Sequence, residues 1–179
     1  MSLLLRPEAG CCDVSGGCGL TMMVLPRTPR PTMTRSCFHL SIPAIDLEAT
    51  VRWYVDGLGC RPGRRSPDAA ILDLGGHQLV AQRLAQGSLP DSQRGIYPRH
   101  FGLVFEEWNT WRSLHERVSA AGIAFAVAPK CRFPGEVLEH HTFFLTDPSD
   151  NWLEFKHYSH PEAILGCVDQ AVVGDALFR

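Results

Sequence analysis

Two histidines and a glutamate are spread along the chain in a pattern that could hold a metal ion. His39 lies in Cys37-Phe38-His39-Leu40-Ser41-Ile42-Pro43, and His100 in His100-Phe101-Gly102-Leu103-Val104-Phe105. Glu154 lies in Asn151-Trp152-Leu153-Glu154-Phe155-Lys156. Two neutral imidazoles and one carboxylate suit Fe(II), Mn(II) or Zn(II), and such a face leaves about three positions of an octahedral ion open. A small substrate with two adjacent oxygens could chelate at two of them. The ion would then polarise a carbonyl, lower the pKa of a hydroxyl, or bind dioxygen beside the substrate.

Each of these residues sits in a segment that alternates like a strand. Cys37, His39 and Ser41 share one face, and Phe38, Leu40 and Ile42 the other. His100, Gly102 and Val104 oppose Phe101, Leu103 and Phe105; Trp152, Glu154 and Lys156 oppose Leu153 and Phe155. The small and polar neighbours predict a cavity wall, and the Phe and Leu residues a helix-packed side. Between the segments, Asp46 can cap a helix over Leu47 to Leu58 that ends near Gly57 and Gly59. Strands at Ala69–Leu74 and His77–Gln82 are joined by Gly75-Gly76. Residues 84–97 read as a linker. The same order then returns: a strand at His100–Phe105, a helix over Glu106–Ala121, and strands at Ile123–Val127, Thr142–Thr146 and Trp152–Lys156. Asp147-Pro148-Ser149-Asp150-Asn151 makes the last turn. Trp53, Tyr54, Trp108 and Trp111 stand at helical spacing and belong to a helix–sheet core. The fold class is α+β: two tandem β-α-β-β-β modules, residues 36–83 and 98–158, whose mixed sheets curl into an open barrel around a metal site. His39 and His100 occupy equivalent places in the two copies, and chance has no reason to respect a repeat.

The remaining candidates are less constrained. Lys130 and Arg132 flank Cys131 in a stretch read as a loop between Pro129 and Pro134, and could bind a substrate carboxylate or phosphate. His140 and His141 are adjacent, so alternation lets at most one face the cavity as acid or base. Nothing in the sequence near Cys37 or Cys131 argues for a reactive thiol.

Composition narrows the class. The 179 residues are 45% hydrophobic and 20% charged, with a formal net charge of -2. That composition supports a packed core. It gives no basic footprint for nucleic acid or an anionic membrane. No apolar run approaches the length of a membrane span. Seven cysteines form no C-x-x-C pair, which fits reduced thiols in a cytoplasmic protein. Residues 1–35, rich in Gly, Pro, Cys and Arg, read as a disordered tail; a mitochondrial presequence is the alternative. Residues 159–179 form a C-terminal extension.

The sequence resembles the vicinal oxygen chelate superfamily of glyoxalase I, extradiol dioxygenases, fosfomycin-resistance proteins and bleomycin-binding proteins. The resemblance spans about residues 36–158. It rests on Phe38-His39-Leu40-Ser41-Ile42-Pro43, on Trp53-Tyr54 followed by Leu58-Gly59, on Asp147-Pro148-Ser149-Asp150-Asn151, and on Leu153-Glu154-Phe155-Lys156. It implies paired modules around a divalent metal, with His39, His100 and Glu154 as ligands, acting on a small molecule. Glyoxalase I has a fourth ligand where this chain aligns Val80, which cannot ligate. Gln78 points the same way but is a weak donor, and His77 faces the opposite side. The extradiol motif has a Tyr where Phe144 stands, and its upstream His falls among Gly135, Glu136 and Val137. A dioxygenase-like reaction is the first reading. Glyoxalase-like isomerisation, thiol addition to an epoxide, and a non-catalytic bleomycin-type binding protein are the alternatives. Dimers are common in the family; a monomer is the alternative, because one chain carries both modules.

Overall fold

The computed structural model describes residues 36–85, 88 and 93–174. Residues 1–35 and 175–179, and part of the expected linker, lie outside the described residues. The first four-stranded sheet contains β1 (His39–Ala44), β2 (Arg61–Arg65), β3 (Ala69–Leu74) and β4 (His77–Arg83) in the order β1-β4-β3-β2. The second contains β5 (Phe101–Phe105), β6 (Phe125–Arg132), β7 (His140–Thr146) and β8 (Trp152–Tyr158) in the order β5-β8-β7-β6. In each sheet the first strand runs parallel to the last, and the other pairs are antiparallel. The fold is α+β, with two mixed sheets of one topology.

Local chemistry explains the elements. Asp46 accepts a hydrogen bond from the Ala49 amide at 3.0 Å and starts α1 (Leu47–Arg52). The helix continues as a π-helical stretch, Trp53–Leu58, and ends at Gly59 with φ +82°, a left-handed cap that glycine adopts without strain. Gly75 and Gly76, at φ +60° and +88°, close the β3–β4 turn, as a two-residue hairpin loop requires. The second long helix, α2, spans Trp108–Ala120.

Several features differ from the expected ones. β2, Arg61-Pro62-Gly63-Arg64-Arg65, is exposed throughout and has no apolar alternation to reveal it. β6 begins two residues late and runs on through Pro129 to Arg132; Lys130, Cys131 and Arg132 are therefore strand residues, not loop. A proline fits there because β6 is an edge strand with a register shift between Val127 and Lys130, and an edge leaves amide positions unpaired. Trp108 lies partly at the surface, 38% exposed, stacked on the buried Trp111 with ring centres 4.9 Å apart.

The helices and the inner faces of both sheets share one core that includes Ile42, Leu47, Tyr54, Leu72, Leu79, Trp111, Phe143 and Phe155. The Asp147–Asn151 turn fastens the second module to the first. Asp147 accepts from the Ser149 and Asn151 amides and the Asn151 side chain, and from the Tyr54 hydroxyl at 3.1 Å. Asn151 donates to the Pro43 carbonyl, and the Ser149 hydroxyl accepts from the Ile45 amide. Among the described residues, no helix is long and apolar enough to cross a membrane.

Candidate functional site

Strand alternation sets which side chains meet. On β8, Leu153 and Phe155 go to the core, so Glu154 and Lys156 emerge on the opposite face. Thr142 pairs with Lys156 and Phe144 with Glu154 across the β7–β8 ladder. His100 enters from just before β5. The Glu154 carboxylate is only 5% exposed and is surrounded by donors. Thr142 Oγ1 donates to its Oε1 at 2.7 Å. Its Oε2 lies 3.1 Å from His100 Nε2 and 3.0 Å from Lys156 Nζ. Burial alone would raise this carboxyl, but the His100 and Lys156 interactions and the Thr142 bond outweigh it and bring it down to about 2. The bond to Glu154 raises His100 against the lowering effect of burial.

The imidazole orientations bear on metal binding. His100 Nδ1 lies 2.7 Å from the Ile96 carbonyl, which can only accept, so Nδ1 carries the hydrogen and Nε2 is the coordinating atom. His39 Nδ1 lies 2.7 Å from Gln78 Oε1, which leaves its Nε2 free in the same way. Fixing one ring nitrogen to an oxygen so that the other can ligate is the usual arrangement of metal-binding histidines. Gln78 is thus occupied as the orienting partner of His39, and Val80 offers no donor. The donor set at His100 and Glu154 fits a divalent ion.

His39 does not join that pair within one chain. It stands exposed on the open face of the first sheet. Among the described residues, the group of His, Cys, Asp or Glu donors that all lie within 4.8 Å of one another is Cys131, Glu139 and His141. Of the three expected donors, His100 and Glu154 meet, and His39 is exposed.

A pocket of about 560 Å³ is lined by Lys156, whose ammonium contacts Glu154; Glu154 and His100 themselves are not among its lining residues. Arg132, His140, Lys156 and Tyr158 form its polar wall, and residues 163–174 of the C-terminal extension contribute an apolar one. Arg132 is buried and pairs across the ladder with His140, whereas Lys130 is exposed. His140 Nδ1 donates to the Leu138 carbonyl at 2.9 Å, and its buried Nε2 has no partner. Burial holds this imidazole below its ordinary pKa, with Lys156 and Arg132 acting in the same direction. His140 therefore presents a neutral ring with an open lone pair. His141 points to the other face, against Trp108. The sequence alone could not choose between these two histidines; the β7 register does.

Paired β-α-β-β-β modules, with the buried Glu154 carboxylate bonded to the His100 imidazole, define the class of fold. The chain belongs to the Glyoxalase/Bleomycin resistance protein/Dioxygenase superfamily, whose profile matches residues 37–155. A glyoxalase/bleomycin resistance protein/dioxygenase from Alicyclobacillus acidocaldarius is 40% identical, covering 76% of this chain and 99% of its own, with a TM-score of 0.66. The fold is also that of the fosfomycin resistance protein FosX from Listeria monocytogenes, 16% identical over 74% of this chain and 100% of that one, TM-score 0.56. Lactoylglutathione lyase from Agrobacterium tumefaciens shares it as well, at 17% identity over 68% and 92%, TM-score 0.51. A search of curated proteins returns no match.

Proposed function

We propose that the protein is a metal-dependent enzyme acting on a small, anionic substrate with vicinal oxygens, through a dioxygenase-like reaction. His100 and Glu154 hold a divalent ion, Fe(II), Mn(II) or Zn(II), and His39 of a second copy supplies the third donor. The reading rests chiefly on the His100–Glu154 pair, in which a backbone carbonyl anchors Nδ1 and turns Nε2 toward a buried carboxylate. His39 has its own Nδ1 anchored to Gln78 but, among the described residues, joins no group of three metal-ligating side chains. A twofold pairing that lays the open face of one first sheet over the second sheet of another copy would complete two equivalent sites.

When bound, the ion supplies Lewis acidity toward the chelated oxygens and a place for dioxygen. The chain supplies the rest. Arg132 and Lys156 hold the negative end of the substrate, and Lys156 exchanges its contact with Glu154 for one with the substrate. His140 accepts a proton from the substrate hydroxyl at Nε2, where the structure leaves an unpartnered acceptor. The apolar wall from residues 163–174 excludes water from the rest of the substrate.

Protein reconstituted with each of the three metals, assayed for oxygen uptake with a panel of catechols bearing carboxylates, tests this reading. Turnover of a hemithioacetal or of an epoxide with thiol, without oxygen uptake, would move the assignment to the isomerase or transferase branch. One observation favours a non-catalytic binding protein: Lys156 already neutralises Glu154 without an ion. Failure to take up any of the three metals would support that alternative.

A further inference from the structure

We propose that Cys131, Glu139 and His141 form a separate zinc site, on the opposite face of the β6–β7 pair from Glu154. One nitrogen, one sulfur and one oxygen from these side chains lie within 4.8 Å of one another, so small side-chain rotations bring them to the donor separation of about 3.5 Å that a tetrahedral zinc ion requires. The mixture of thiolate, imidazole and carboxylate suits Zn(II) better than a hard cation.

The fold builds the cluster from two directions. Cys131 and His141 are direct partners in the antiparallel ladder. Both therefore project from the face opposite Arg132 and His140, which form the next pair and line the pocket. Glu139 ends the connecting loop, and its carboxylate is already fixed by the Gly135 amide at 2.6 Å and the Ser159 hydroxyl at 2.6 Å. His141 is held against Trp108, with ring centres 4.6 Å apart. Glu139 and His141 are thus held in place, with Cys131 opposite His141 in the ladder, and water or His160, which lies near Glu139, can fill the fourth position.

The site has a structural consequence. An ion there would clamp the two ends of the 132–140 segment, which carries Arg132, Phe133, Leu138 and His140 of the pocket wall. The zinc site would therefore stiffen the substrate wall without touching substrate. An ion held by Cys131, Glu139 and His141 requires none at His100 and Glu154.

Cobalt is the probe. In a His100→Ala/Glu154→Ala background that removes the other candidate centre, Co(II) added to the metal-free protein should produce a thiolate-to-cobalt charge-transfer band. Cys131→Ser should abolish that band. Glu139→Gln should retain it with affinity weakened at least about tenfold, a typical cost of losing metal-site support. Cys131 is exposed, so circular dichroism should show its serine variant folded as the parent. A parent without a thiolate band, or a band that persists in Cys131→Ser, would overturn the assignment.

Discussion

Replacing Glu154 by Gln in metal-free protein should lower stability in a pH-dependent way. The carboxylate receives Thr142, His100 and Lys156, and the amide would leave two cationic groups without their counter-charge. Its carboxyl falls from an ordinary 4.5 to about 2. At about 1.4 kcal/mol per unit that displacement corresponds to about 3.5 kcal/mol, which solvent screening of the partly exposed His100 and Lys156 reduces to roughly 2 kcal/mol. A depressed carboxyl gives stability that is present above the unfolded value and is lost as pH falls from there toward 2. His100, raised chiefly by its bond to Glu154, gives stability that is present below its ordinary 6.5 and is lost as pH rises through the elevated value. Glu154→Gln removes both contributions. The gap between parent and variant should therefore be widest between the ordinary values of the two groups and narrow on either side. Urea unfolding with chelator present, repeated across the pH range, measures it. A gap that stays constant with pH, or a variant as stable as the parent, would refute the electrostatic reasoning.

Other outcomes follow from the same geometry. Tyr54→Phe removes one of four donors to Asp147 and should cost about 1 kcal/mol in chemical unfolding without changing metal content. His140→Asn should lower turnover by about 10²–10⁴-fold with metal retained, and should remove an acidic limb of the rate profile that lies below the ordinary histidine range. Gly102→Ala would place its Cβ 1.7 Å from the Glu154 carbonyl oxygen, so β5 and β8 must separate. A loss of about 2 kcal/mol or more in thermal or urea unfolding should follow.

Particular residues show what the sequence could convey. The equivalence of His39 and His100, and the turns at Gly59 and Gly75-Gly76, were legible because each is a local pattern with a local cause. β2 was not, because an arginine-rich edge strand buries no alternating face. The extent of β6 was masked by Pro129, which an edge position tolerates. The choice of His140 over His141, the pairing of Gln78 with His39, and the meeting of Cys131, Glu139 and His141 all depend on the register between strands. A single segment does not encode that register. The exposed position of His39 depends on module packing, which lies further still from any local pattern.

Metal content after co-expression of His39→Ala and His100→Ala chains tests the central claim most directly. Each variant alone should bind no ion at the His100–Glu154 centre. Random pairing of the two chains in a dimer should restore about a quarter of the sites, because half the dimers are mixed and each mixed dimer carries one intact set. Either single variant holding the parent's full complement, or a mixture that stays empty although mixed dimers form, would contradict a centre built from His39, His100 and Glu154 across two copies.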